Sequence, residues 1–252
     1  MYKPESKEEE DYLRSYDPGK YPTPAVTVDI VIFTLNEQNR LAVLLIRRKN
    51  YPYRGRWAIP GGFVEMEESI DTAAGRELFE ETHVSGVPID QFGSFGDVDR
   101  DPRMRVISIA YMAFVPKNAL QIRAGDDAKD ARLFEIVREG GKIRLHGEEE
   151  EWDIEDLAFD HDKVLRTAIR RLCNRIEYTY DAFALLPDDQ SFSIGELKRI
   201  YDAVLNKEQD LPNFRREFER KYVREGLVEK TGGSEKRDSR RPAKLYRLVK
   251  TQ

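Results

Sequence analysis

The 252-residue chain has one cysteine, Cys173, and three histidines. A single thiol excludes an internal disulfide, and so few soft ligands exclude a zinc finger or any Cys/His-rich metal domain. A hard-cation site built from carboxylates stays open. No apolar run approaches the roughly 18 residues a membrane-spanning helix needs. The start, Met1-Tyr2-Lys3-Pro4-Glu5, lacks the basic-then-apolar layout of a signal peptide. These absences predict a cytoplasmic protein with no membrane partner. What is present is a 40% hydrophobic, 35% charged chain. At about 150 residues per domain it makes one large domain or two small ones. Its net charge of -5 is unevenly spread. Residues 190–252 carry +6 and residues 1–189 carry −11. A basic C-terminal part on an acidic body suggests two domains with different partners. Charge alone leaves a polyanion partner and a merely solvated surface equally open.

Residues 1–21 are polar and read as a tail or a short surface helix. Val26–Phe33 alternates as a strand, with Val26, Val28, Ile30 and Ile32 on one face. Leu41–Ile46 is a near-continuous apolar run, the pattern of a strand covered on both faces. Asn36–Asn39 is the turn between them. Trp57–Gly62 reads as a short strand ending in a flexible loop, with Trp57 in the core. Glu68–Thr82 reads as a helix with the apolar stripe Ile70, Ala74, Leu78. Arg105–Val115 and Ala131–Ile136 are further strands. Arg138–Glu151 reads as a loop or an added hairpin. This order gives an α/β or α+β domain over about 25–157. A helix follows, with Val164, Leu165, Ala168, Ile169, Leu172, Cys173 and Ile176 on its apolar face. Ser193-Ile194-Gly195-Glu196 is a capping box opening the next helix. The one after it starts near Pro212, packs Phe214, Phe218 and Tyr222, and stops at Gly226.

The segment Gly62-x5-Glu68-x7-Arg76-Glu77-Leu78-Phe79-Glu80-Glu81-Thr82-His83-Val84 carries chemistry. At 100° per residue Glu77, Glu80 and Glu81 fall within about a 100° arc of one helix. Carboxylates that close repel unless a positive group sits among them, and a divalent hard cation takes such ligands readily. Gly61 and Gly62 leave room for a close backbone approach. Arg76 lies one turn before Glu80 and can orient it. An exposed glutamate-rich helix face would show the same acidic run without the glycines and the full spacing.

The segment resembles the Nudix box, Gly-x5-Glu-x7-Arg-Glu-apolar-x-Glu-Glu-x-Gly-apolar. The resemblance implies an α/β/α sandwich with a mixed sheet, and hydrolysis of a nucleoside diphosphate compound assisted by Mg2+ or Mn2+. It assigns Arg76, Glu77, Glu80 and Glu81 to catalysis, and Glu77, Glu80, Glu81 and the Gly61 carbonyl to the metal. His83 stands in place of the family's glycine at the helix end.

Residues 213–250 carry a net of +7. The order of helix, capped helix, arginine-rich helix, strand, basic loop and strand is that of a winged helix-turn-helix. Asn213, Arg215, Arg216 and Arg220 are its candidate DNA contacts on the helix. Lys236, Arg237, Arg240, Arg241 and Lys244, in the loop Thr231–Lys244, are those of the wing. A helical accessory or dimerisation domain is the alternative. Beyond the box, the chain resembles the Nudix-related transcriptional regulators of NAD metabolism. The matching stretches are Tyr16-Asp17-Pro18, Tyr21-Pro22-x-Pro24-x-Val26-Thr27-Val28-Asp29, Arg100-Asp101-Pro102-Arg103, Leu157-Ala158-Phe159-Asp160-His161, Asn213-Phe214-Arg215-Arg216 and Arg241-Pro242-Ala243-Lys244-Leu245-Tyr246-Arg247. Arg240 departs from a wing glycine. This resemblance implies a homodimer that binds double-stranded operator DNA and senses ADP-ribose or a related compound. It divides the chain into a tail (1–21), a Nudix domain (22–157), a linking helix (158–180) and a winged-helix domain (181–252).

Arg100 and Arg103 are candidates for the ligand's phosphates, against a loop-fixing salt bridge. His161 suits a cap or a domain-junction hydrogen bond better than catalysis. Glu148–Glu151 suits a solvated acidic loop better than a metal site.

Overall fold

The computed structural model describes residues 2–122, 128–235 and 243–249. The N-terminal stretch forms helix α1 (Lys7–Ser15), capped by the Ser6 hydroxyl and with no buried residue. Strands β1 (Ala25–Leu35), β2 (Leu41–Arg48), β3 (Trp57–Ala58) and β4 (Gly61–Phe63) precede helix α2 (Ile70–Thr82). Strands β5 (Ile89–Phe95), β6 (Val106–Phe114), β7 (Ala128–Glu139), β8 (Lys142–His146) and β9 (Glu151–Asp153) follow, and then helix α3 (His161–Arg175). All nine strands join one mixed sheet in the order β5-β6-β1-β2-β7-β8-β9, with β3 on β2 and β4 on β1. Only the β1–β6 pairing among these is parallel, with Ala25 opposite Val106 and Phe33 opposite Phe114.

The period-2 alternation of β1 decides the layering. Val28, Ile30 and Ile32 pack with Ala73, Ala74 and Leu78 of α2. Val31 and Phe33 face the other way, into the core that holds Leu165, Ile169 and Leu172 of α3. Leu41–Ile46 is buried throughout, as a strand between two helical layers must be. The result is the expected α/β/α sandwich.

Two details differ from the sequence reading, and a third settles an alternative left open there. Ile70 is exposed, and Ala73 takes its place in the buried stripe. Arg138–Glu151 is a hairpin that extends the sheet; Gly140 and Gly141 turn it at φ 57 and 79. β5 was not foreseen.

The C-terminal unit contains α4 (Asp181–Ala184), β10 (Phe192–Ser193), α5 (Ile194–Leu205), α6 (Leu211–Phe218), β11 (Val228–Glu235) and β12 (Ala243–Leu248). Its three-stranded sheet has the order β10-β12-β11. The Ser193–Glu196 capping box is formed. Gly226, at φ 72, ends the helical run. Phe183, Phe192, Phe218, Tyr222 and Tyr246 form its aromatic centre; Phe218 and Tyr246 lie 5.0 Å apart at 80°. β11 runs on to Glu235 and β12 begins at Ala243, so Thr231 and Lys244 are strand residues rather than parts of a long loop.

The two units meet through α3 and α5. Residues of both helices share one apolar cluster. Tyr201 Oη donates to Ile176 O at 3.0 Å, and Arg138 Nη2 donates to Ala203 O at 2.9 Å and Val204 O at 2.8 Å. Among the described residues no helix is long and apolar enough to cross a membrane.

Candidate functional site

Helix α2 starts at Ser69, whose hydroxyl accepts the Thr72 amide. It ends at His83, in the left-handed conformation at φ 54, where the His83 amide returns to Phe79 O at 2.8 Å. The helix is held down by Ala73, Ala74 and Leu78, which fixes the acidic residues at its rim. Glu77 and Glu81 are buried at 8% and 6% exposure, while Glu80 is half exposed.

Arg76 is the centre of this face. It donates to Glu68 Oε1 at 2.8 Å, Glu68 Oε2 at 3.3 Å, Glu77 Oε1 at 2.7 Å, Glu80 Oε1 at 3.4 Å and Phe63 O at 3.2 Å. Its bonds hold the Glu68 carboxyl below its ordinary range. Burial raises the Glu77 carboxyl, and Arg76 opposes that rise only in part. Glu68 lies just outside the helix and is drawn in by Arg76 and the Glu65 amide.

Gly61 is sterically required by backbone, while a side chain at Gly62 would displace the Glu77 carboxylate. A Cβ on Gly62 would stand 2.2 Å from Glu77 Oε1, and one on Gly61 would stand 2.2 Å from Val28 O. Gly62 therefore leaves a cradle in which the Glu77 carboxyl sits. The all-oxygen donors of this rim suit a hard divalent cation. No group of three such side chains among the described residues converges as a ready cage. Arg76 bonds Oε1 of both Glu77 and Glu80, and a cation would compete with it for those oxygens.

Arg100 and Arg103 part company. Arg100 is 8% exposed; its guanidinium binds Asp160 at 2.8 and 3.1 Å and Asp29 at 3.2 Å. Ser108 Oγ donates to Asp29 Oδ2 at 2.5 Å. Arg100 thus fixes β1, β6 and the head of α3 to one another, and its guanidinium faces no solvent. Of the two readings weighed for this loop, Arg100 takes the salt bridge. Arg103 is half exposed and held by Asp101 at 2.8 and 3.0 Å. His161 Nδ1 accepts the Ile59 amide at 2.9 Å, a junction bond. Asp29 and Asp160 stand in the matching stretches, but their pairing with Arg100, and that of Ser108 with Asp29, had no signal in the sequence, because the partners are 60 to 79 residues apart. Glu150 and Glu151 are engaged by Trp152, Arg132, Arg144 and His146.

On the C-terminal unit Asp210 caps α6 by accepting the Asn213 amide at 2.9 Å. Phe214 and Phe218 face inward; Phe214 meets Tyr201 edge-on at 5.1 Å. Asn213, Arg215, Arg216 and Arg220 are all exposed, with Arg216 bonded to Asn213 and Arg220 to Glu217 at 2.5 Å. Lys244 is exposed on β12. Lys236, Arg237, Arg240 and Arg241 lie outside the described residues.

A glycine-opened carboxylate helix on a mixed α/β/α sandwich, followed by a winged helix, defines the class. The NUDIX domain family matches residues 23–152, and the NrtR DNA-binding winged helix domain matches residues 182–248. The chain belongs to the Nudix family, in its branch with an NrtR-type winged helix. It is 34% identical over 96% of its length to the ADPR responsive transcriptional repressor NtrR of Acinetobacter baylyi, covering 88% of that protein. A MutT/nudix family protein from Enterococcus faecalis superposes with a TM-score of 0.78 at 30% identity, covering 99% of this chain and all of that one. Shewanella oneidensis NrtR, in complex with a 27mer DNA, gives 0.68 at 30% identity over 89% of this chain and 93% of that one. The NUDIX domain of the same protein, in complex with ADP ribose, gives 0.51 at 32% identity over 65% of this chain and 98% of that one.

Proposed function

We propose that this chain is a DNA-binding transcriptional repressor of NAD-related genes whose Nudix domain senses ADP-ribose. The observation that carries the reading is the joining, in one chain, of the intact Arg76-Glu77-x-x-Glu80-Glu81 rim to a winged helix with exposed Asn213, Arg215, Arg216 and Arg220. The full-length likeness to a repressor described as ADPR responsive supports it. In this reading residues 22–157 sense, 158–180 link and 181–252 bind DNA. Glu77, Glu80 and Glu81, with the Gly61 carbonyl, would hold Mg2+ or Mn2+. When bound, such an ion neutralises a diphosphate. Arg76 holds the acids in register, and Arg103 reaches the phosphates. The protein acts in the cytoplasm as a homodimer on a palindromic operator, with the α6 residues entering the major groove and Lys236, Arg237, Arg240, Arg241 and Lys244 contacting phosphates. A gel-shift series on its own upstream region tests this. Retardation at low salt that weakens on replacing Arg215 and Arg216 is expected; indifference to those replacements sinks the reading.

The intact acidic rim favours a second activity, ADP-ribose pyrophosphatase, alone or alongside regulation. AMP release from ADP-ribose with Mg2+ is then expected in the wild type and lost in Glu81→Gln. Equal inactivity of the two, with ligand still bound, leaves sensing as the role.

A further inference from the structure

Where the two units meet they flank a cleft of about 530 Å³. One wall comes from the β1–β2 turn and from β7 of the Nudix unit, the other from the last turns of α5 and the residues just after it. A smaller cavity of about 160 Å³ lies against the same turn and shares Asn39 and Arg199 with the cleft. Neither cavity is lined by the acidic rim or by α6.

The polar groups of the cleft are unevenly committed. Asp202 accepts from Lys198 Nζ at 2.6 Å and from the Gln209 amide at 2.7 Å, and Glu139 pairs with Arg144 at 3.5 Å. Glu135 Oε2 accepts from Asn36 Nδ2 at 3.0 Å, and Arg138 is turned to the α5 carbonyls. Held by neutral groups, Glu135 and Arg138 offset one another in charge. Arg40, Arg199 and Lys207 differ: among the described residues no partner meets their side chains, and Glu208 is the one acid of the cleft in the same position. Three uncommitted cations against one uncommitted anion leave the cleft two charges positive.

We propose that this cleft binds a phosphate monoester of a sugar or similar polyol, its phosphate held between Arg40 of the Nudix unit and Arg199 and Lys207 of the winged-helix unit. Guanidinium forks match phosphate oxygens two at a time. A monoester carries about two negative charges at neutral pH, which answers the excess in the cleft. The lining has no aromatic ring, so a nucleotide base would have nothing to stack on. The side-chain amides of Gln38, Asn39 and Asn206 offer donors and acceptors to hydroxyls instead. The volume lies within the roughly 300–1,000 Å³ of small-molecule sites, which favour domain interfaces, and a bare phosphate would leave most of it empty. A ligand gripped from both walls favours the arrangement of units that brings the walls together. The site shares no residue with the acidic rim and stands independently of the ADP-ribose reading.

The test is calorimetric titration of the full-length protein with glucose 6-phosphate and with glycerol 3-phosphate, at neutral pH and low salt. Inorganic phosphate and glucose are the partial probes. The wild type is expected to bind one sugar phosphate per chain, and each partial probe about tenfold more weakly. Arg40→Gln and Arg199→Gln each weaken sugar phosphate binding about tenfold, as loss of a charge-assisted hydrogen bond does. Neither residue has a protein partner to lose, so both variants keep the wild-type melting temperature. Arg170→Gln, on the exposed face of α3, leaves binding unchanged. Saturating ADP-ribose with Mg2+ does not displace the sugar phosphate. Failure of the wild type to bind either sugar phosphate overturns the site. Inorganic phosphate binding as tightly reduces it to a bare anion site and overturns the ligand class. Displacement by ADP-ribose overturns it too, by placing the phosphate at the acidic rim. Loss in Arg199→Gln alone overturns the bridge, because the ligand then rests on one unit. A wild type that binds sugar phosphate but not ADP-ribose sinks the functional reading and supports this site.

Discussion

His83 shows how one side chain can sit against its backbone. It ends α2 at φ 54, a position where an L-residue is disfavoured by about 1–2 kcal/mol and glycine is not. Glycine gives back part of this through the greater freedom of its unfolded chain, about 0.4–1 kcal/mol. His83→Gly is therefore expected to stabilise the protein by about 0.5–1 kcal/mol in urea unfolding. A loss instead would mean that the His83 ring contact with Phe79, at 5.6 Å, outweighs the strain. His161 is a second residue-scale case. Burial pushes its imidazole below the ordinary 6.5, against the pull of Asp29, whose Oδ1 lies 3.7 Å from Nε2. The folded state then refuses a proton that the unfolded state accepts. Its contribution to stability is present above pH of about 6.5 and is lost as the pH falls below that value. His161→Asn should lower stability at pH 8, yet make it fall less steeply between pH 6.5 and 5 than in the wild type. Parallel slopes in urea titrations at each pH would show that His161 is not the group responsible.

At the scale of elements, what could be read in advance tracks how local each signal is. β1, β2, α2, α3 and α5 announce themselves by period and caps, because their burial is set by residues two to four apart. β5, Ile89–Phe95, does not: Gly93 sits at its register shift against β6, and Asp90 and Gln91 are exposed, so its sequence lacks a clean alternation. The acidic rim was legible because its spacing is helical. The burial of Arg100 was not, since Asp29 and Asp160 are brought to it only by the sheet and by α3. α6 carries its own prediction. Its inward face is aromatic, so the exposed Arg215 and Arg216, and Arg220 on the π-helical turn that follows (Glu219–Val223), can be replaced without touching the core. Each that neutralises one phosphate adds about 0.9 to the slope of log affinity against log salt. Arg216→Ala should reduce that slope by about 1, with the melting temperature unchanged. An unaltered slope places Arg216 off the DNA.

Across the whole molecule, a ligand can change DNA affinity only if it binds the arrangements of the two units differently. Besides single hydrogen bonds such as Tyr201 Oη to Ile176 O and Asn118 Nδ2 to Pro187 O, two larger connections join them. One is the apolar packing of α3 on α5, which is non-directional. The other is directional: Arg138, on β7, donates to the last carbonyls of α5 and to Cys173 Sγ at 3.1 Å, while Asn206 Nδ2 returns to Arg138 O at 3.0 Å. A guanidinium at a helix C-terminus answers both the unpaired carbonyls and the negative end of the dipole. Next to this contact is a cleft of about 530 Å³, lined among others by Arg40, Glu135, Arg138, Arg199 and Asp202. Arg138→Ala removes the largest set of directional bonds and keeps the apolar packing. The variant should unfold about 1–3 kcal/mol more easily, as expected when charge-assisted bonds to buried carbonyls are lost. It should bind operator DNA alone and ADP-ribose alone close to wild-type affinity, because neither surface is touched. The ratio of DNA affinities without and with saturating ADP-ribose should move toward one, because the unit that senses no longer holds the unit that binds DNA in a defined direction. A ratio equal to the wild type's would mean that the coupling passes through the dimer interface or through α3 alone.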